Sequence, residues 1–278
     1  MTLSLKGNSS VQHLNSLINQ DFFQNHNKVL DLSLVSFTTP VVSVVAQILK
    51  DQAWTLIKPI ATESKQYLDW ILNGGYQDAF RYIKPKIVSQ KEYIYKTNEA
   101  FDKIFRNWLS EETASDLRYS FIELMDNVFD HANSQIGLCV AAQKYPRGDR
   151  IESAIADLGV GIAYSFQEVT DSTALNFFKR GLALKGTSKP DRHTGEGLSS
   201  VLEWLKKNNC EAMILSRNHV WKYLNSEETI QELDHTAWPG TLIWFSIPKD
   251  MEFTLTEVWN DLNLGLDQSD IDDLFTPP

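Results

Sequence analysis

The chain has 278 residues, 42% apolar and 22% charged, enough to bury a substantial core as one large domain or two ordinary ones. Its formal net charge of −10 argues against a broad basic surface for nucleic acid, so any phosphate-binding site must be local. No apolar stretch approaches the roughly 18 residues of a membrane span, and Met1 to Val11 lack the basic and apolar regions of a signal peptide. No membrane association is expected, and the chain reads as cytoplasmic. Cys139 and Cys210 cannot build a disulfide framework, and no Cys/His cluster has zinc-like spacing, so both read as buried thiols.

In chain order, Lys28 to Phe37 has the apolar pattern of a buried or half-buried strand, with Val29, Leu30, Leu32, Leu34, Val35 and Phe37. Val41 to Lys50 then predicts a helix, with Val41, Val44, Val45, Ile48 and Leu49 on one face and Pro40 at the first helical position. A short strand is expected over Trp54 to Lys58. A helical turn from Tyr67 should stop at Gly74 and Gly75. This makes a small α/β unit ending near Lys84-Pro85-Lys86.

From Glu92 to Trp108, Ile94, Phe101, Ile104, Phe105 and Trp108 repeat at helical spacing, and a second helix begins where Ser110 can cap it and Glu111 and Glu112 favour its N-terminal dipole. Beyond Arg150 the pattern of strand, glycine loop, polar insertion, helix and strands predicts a mixed α/β fold, an α+β layered sandwich. The expected partition is 1–88, 89–250 and an acidic C-terminal tail, 251–278. After Lys249 there is no basic residue but eight acidic ones, interspersed with Leu264, Leu266, Ile271, Leu274 and Phe275, as in a solvated tail or a short docking peptide.

Four stretches carry chemistry. On the helix from Glu111, the core stripe is Leu117, Phe121, Leu124, Val128 and Ala132, while Glu123, Asn127 and His131 share another face at i, i+4 and i+8. Alone, such spacing also describes a plain solvated face. Arg150 to Asp157 reads as a strand ending in an acid, followed by Gly159 and Gly161, which let backbone approach a ligand closely. Asp157 can accept a hydrogen bond from an exocyclic amine such as adenine's; the plain alternative is a tight turn with an acidic cap. Lys185 to Leu198 precedes the apolar helical run Val201, Leu202, Trp204 and Leu205, and Gly195 and Gly197 expose backbone N–H groups suited to phosphate. Between Lys179 and Gly197, five basic residues face two acids, a local charge of +3 that suits either an anionic ligand or surface ion pairs. Gly240-Thr241 opens the strand Leu242 to Ile247, a signal without meaning by itself.

In this order, Glu123-x-x-x-Asn127, Asp157-x-Gly159-x-Gly161, Gly195-x-Gly197-Leu198 and Gly240-Thr241 resemble the motif set of the GHKL family. That family includes gyrase, the ninety-kilodalton heat-shock chaperones, histidine kinases, MutL and anti-sigma-factor kinases. The resemblance spans about Glu92 to Pro248, and no Walker phosphate loop is present in the sequence. It implies a GHKL-type domain binding ATP and Mg²⁺. Asn127 would hold the Mg²⁺, Asp157 would read the adenine amine and Thr241 would assist at the base through water. Gly159, Gly161, Gly195 and Gly197, with Leu198 closing the third motif, would let backbone surround the nucleotide. Ala163 to Thr194 resembles the family's lid, with Lys185 or Lys189 reaching the phosphates.

Glu123 would activate the attacking water or hydroxyl. Ordinary histidine kinases usually carry asparagine there, so this chain is more similar to the hydrolases and the anti-sigma-type serine kinases. His131 is read as a packing or phosphate-orienting residue.

Asp31 to Phe37, the following helix and Tyr67-Leu-Asp-Trp70 resemble a STAS-type domain over about Val11 to Ile83. The phosphorylatable Asp-Ser-Ser-Gly of anti-sigma-factor antagonists is replaced by Thr38-Thr39-Pro40-Val41, which implies a docking or structural domain. The expected function is a nucleotide-controlled signalling ATPase acting on a protein partner or a second subunit, as in a homodimer. The alternative is a serine/threonine kinase of the anti-sigma type.

Overall fold

The computed structural model describes residues 2–73, 82–91, 93–106, 108–166, 174–183 and 197–262. It is a mixed α/β molecule with two sheets. The first unit runs β1 (Leu3–Gly7), α1 (Ser10–Ile18), β2 (Val29–Val35), α2 (Pro40–Asp51), β3 (Thr55–Ile57) and α3 (Thr62–Leu72). Its three strands pair in parallel in the order β1-β2-β3. Pro40 starts α2 at a position where its missing N–H leaves nothing unpaired. Gly74 and Gly75, the expected stop after α3, lie outside the described residues.

The second unit contains β4 (Tyr82–Val88), α4 (Tyr93–Phe105), α5 (Glu111–Asn127), β5 (Leu138–Tyr145), β6 (Arg150–Asp157), α6 (Ala174–Leu182), α7 (Gly197–Lys207), β7 (Glu211–Arg217), β8 (His219–Leu224), β9 (Glu227–Glu232), β10 (Trp238–Pro248) and α8 (Leu255–Asp261). Its strands form an antiparallel sheet in the order β4-β5-β6-β10-β7-β8-β9. β4 therefore belongs to the large sheet and not, as the sequence pattern alone suggests, to the first unit; Lys84-Pro85-Lys86, the expected joint, lies inside a strand. Pro85 is tolerable there because β4 is an edge. At the other edge, β9 is exposed along its whole length and carries Glu227, Glu228 and Glu232, charges that discourage strand addition.

The large sheet is apolar on both faces. Ile151 and Ile155 of β6 join Phe101, Phe121 and Trp204 in one core, whereas Ala154 and Ala156 join Val44, Val45 and Ile48 in the other. β10 divides likewise, with Phe245 on one side and Leu242 and Trp244 on the other, as the period of two requires. Cys139, Ala141, Ala154 and Ala156 present a surface of small side chains, against which α2 lies in contact with β5 and β6. Both cysteine thiols are buried and free. The helix is buried on nearly every side from Pro40 to Leu49, as befits an apolar helix held between two sheets.

The two units thus share one core. A polar tie accompanies it: buried Glu152 of β6 accepts hydrogen bonds from Ser10 Oγ at 2.6 Å, Arg150 Nε at 3.0 Å and Trp244 Nε1 at 3.3 Å. Urea unfolding followed by tryptophan fluorescence and by far-UV circular dichroism is expected to give coincident single transitions. Ala154→Leu should shift that one transition by about 1–3 kcal/mol through overpacking; separate transitions for the two units would contradict a shared core.

Candidate functional site

The site forms where the ends of α5, β6 and α7 meet β10. Ser110 caps α5, its hydroxyl accepting from Thr113 N–H at 3.1 Å, with Glu111 and Glu112 in the first turn. Leu117, Phe121, Leu124, Val128 and Ala132 are buried as the stripe predicts. Past Asn127 the helix widens into a π turn over Val128–Ala132, ended by left-handed Asn133. The α-helical spacing that aligned His131 with Glu123 and Asn127 therefore holds only as far as Asn127.

Close backbone approaches join the predicted stretches. A Cβ on Gly159 would collide with the carbonyl of Ala132, to which Val160 N–H also donates at 2.7 Å. A Cβ on Gly240 would collide with Asp157 Oδ1, and one on Gly197 with Glu123 Oε2. Gly161 has φ +81°, the left-handed region that favours glycine. Leu198 packs against the core beneath α7. Gly240 and Thr241 lie within β10, which begins at Trp238, and the pairing with β7 is irregular between Trp238 and Thr241. Lys185, Lys189 and Gly195 lie outside the described residues, as do most of the lid and tail residues 263–278.

Asp157 ends β6 almost fully buried. Its Oδ1 accepts from Gly159 N–H at 2.6 Å, and the Thr241 backbone N–H is a further donor to the carboxyl. Burial raises its pKa to about 7, against the opposing pull of those two donors. The Asp157 carbonyl is held by Trp238 Nε1 at 2.8 Å.

Glu123 is likewise pushed to about 7, first by burial and then by the charge of Asp126, while a hydrogen bond from Tyr119 opposes the shift. Lys91 bridges Asp130 at 2.8 Å and Asp126 at 3.5 Å beside it. A carboxyl of this pKa can exchange a proton near neutral pH, as a general base requires.

Asn127 Nδ2 donates to the Glu123 carbonyl at 2.8 Å, which orients the amide and leaves Oδ1 as a hard oxygen donor for a cation. No group of three or more His, Cys, Asp or Glu side chains gathers to hold a metal among the described residues. A single amide oxygen does not hold a cation alone; it suits an ion that keeps most of its waters and takes further ligands from a bound anion, as Mg²⁺ does. Also among the described residues, no helix is long and apolar enough to cross a membrane.

Ser216, Trp238, Tyr119 and Lys91 border the site without having been singled out by sequence. None lies in a short motif; only strand register and helix packing bring them in. Thr38 and Thr39 are both buried, Thr38 Oγ1 lying 2.9 Å from Ser64 Oγ and Thr39 Oγ1 3.0 Å from His13 Nδ1.

A carboxyl protonated in the fold but ionised in the unfolded chain favours folding below its unfolded pKa of about 4, a contribution lost as pH rises through about 7. Urea midpoints taken between about pH 5 and pH 8 should therefore show Asp157→Asn gaining on the native protein as pH rises. A difference between the two that does not change with pH would refute this assignment. Compared with known proteins, the chain matches no family model and no curated protein.

Proposed function

We propose that this protein is a Mg²⁺-dependent, ATP-binding regulatory protein of GHKL type that hydrolyses ATP, its nucleotide state controlling a protein partner or second subunit. The observation that carries this reading is the convergence of stretches spread between Glu123 and Thr241. Glu123 meets Gly197, the turn after Asn127 meets Gly159, and Asp157 meets Gly240 and Thr241. In this reading Asp157 accepts from the adenine amine, while the N–H groups opening α7 face the phosphates. Glu123 orients the attacking water and takes its proton. Asn127 would hold Mg²⁺, which when bound offsets charge on the phosphates.

The N-terminal unit is read as a STAS-like structural and docking layer. The burial of Thr38 and Thr39 favours that role over a phosphoswitch, since a phosphate on either hydroxyl would have to displace Ser64 or His13. Exposed Leu34, Ile57 and Ile60 on this unit are compatible with a protein partner.

Purified protein incubated with radiolabelled ATP and Mg²⁺ is expected to release free phosphate. Label transferred to a STAS-like protein substrate would instead mark the kinase alternative. Glu123→Ala should lower turnover by about 10²–10⁴-fold with little change in nucleotide affinity, and native turnover should rise as pH passes about 7. Unchanged turnover in this variant would remove Glu123 from the mechanism. Asp157→Ala, measured by calorimetry, should weaken ATP binding at least about tenfold with the fold intact; native affinity in the variant would remove Asp157 from the base site.

A further inference from the structure

We infer that Ser216 is the positioning residue that sets the hydrogen-bonding direction of Thr241, and through it the preference for a purine whose ring offers an acceptor beside an exocyclic amine. This rests on the ATP-binding reading and names a determinant outside the four sequence stretches.

Ser216 is buried near the end of β7, directly opposite Thr241 of β10 in the strand register. Its Oγ lies 3.3 Å from Thr241 Oγ1 and accepts from Ile162 N–H at 2.7 Å. A Cβ on Gly161 would come within 2.8 Å of the same oxygen. One hydroxyl therefore touches the glycine loop after β6 and the threonine on β10 together.

A serine hydroxyl has one proton to donate and two lone pairs to accept with. Ile162 N–H fills one lone pair of Ser216; either hydroxyl can donate across the 3.3 Å contact, and the inferred arrangement is the one in which Ser216 gives its proton to Thr241 Oγ1. Thr241, accepting from Ser216, turns its own proton towards the ligand. Beside it the Asp157 carboxyl, anchored by two backbone N–H groups, acts as acceptor. This donor and acceptor pair matches the ring N1 and the N6 amine of adenine. Guanine and hypoxanthine present the reverse pair, an N1–H and a carbonyl oxygen. A site built to hydrogen-bond one pattern rejects the other because buried polar groups are left unmatched. Without the 216 hydroxyl, Thr241 is free to rotate and its donor is no longer aimed.

The test compares ATP with 1-deaza-ATP, which keeps the amine but lacks the N1 acceptor, by calorimetry with Mg²⁺. The native protein is expected to bind ATP about threefold to tenfold more tightly than the analogue, the range of one net hydrogen bond. Ser216→Ala should bring the two ligands within about twofold while leaving analogue affinity unchanged, a pattern that general loosening of the site would not produce. Thr241→Val should narrow the preference for ATP to the same extent, and the double variant should narrow it no further, because both act through one hydrogen bond.

If Ser216→Ala does not fold, Ser216→Cys fills nearly the same volume with a weaker donor and is expected to narrow the preference as well. A folded variant that retains the native preference, or losses that add in the double variant, would overturn the inference while leaving ATP binding intact. A native protein that binds neither nucleotide would overturn the ATP reading and this inference with it.

Discussion

An antiparallel sheet with large apolar side chains on both faces cannot leave either face to water, and the rest of the molecule is arranged around that constraint. Helices α4, α5, α7 and α8 cover one face with aromatic side chains such as Phe121, Trp204 and Trp259. The other face is covered by the N-terminal unit, chiefly α2, which fits because Cys139, Ala141, Ala154 and Ala156 are small. What resembles an independent domain in the linear chain is thus a layer of a common core. Glu152, tied to Ser10 and Trp244, adds orientation to an otherwise apolar contact.

The same sheet builds the candidate site. β6 is paired on both sides, by β5 and β10, so Asp157 emerges from a rigid strand end rather than from a loose loop. Gly240 lets β10 pass directly against its carboxyl, and Gly159 lets the following loop press on the turn after α5. A side chain at either position would separate elements whose contact defines the site. The candidate groups therefore come from rigid elements, and their spacing is set by backbone approach.

Three carboxyls, Asp116 and Asp157 buried and Glu123 partly buried, are each raised to about 7, chiefly by desolvation, yet their surroundings differ. Asp116 Oδ2 accepts from Leu255 N–H at 3.0 Å and anchors the start of α8, a structural task. Glu123 faces the first residue of α7, and Asp157 faces the glycine loop and Thr241. A perturbed carboxyl alone does not mark chemistry; its neighbours separate the anchor from the candidates.

Local features were legible without coordinates. The core stripe of α5, the Ser110 cap, Pro40 at the start of α2 and the strand ending in Asp157 all depend on neighbours a few residues away, and the structure has them where periodicity and capping put them. The apolar run Leu242 to Ile247 also carried a signal that both sheet faces were covered, although it does not say by what. The sequence by itself determined which residue types were available and at what spacing. Tertiary structure decided that β4 joins the large sheet, that a π turn ends the alignment of His131 with Asn127, and that Ser216 touches both Ile162 and Thr241. Those outcomes depend on strand register, helix packing and the desolvation of groups far apart in the chain, none of which a short window of residues contains.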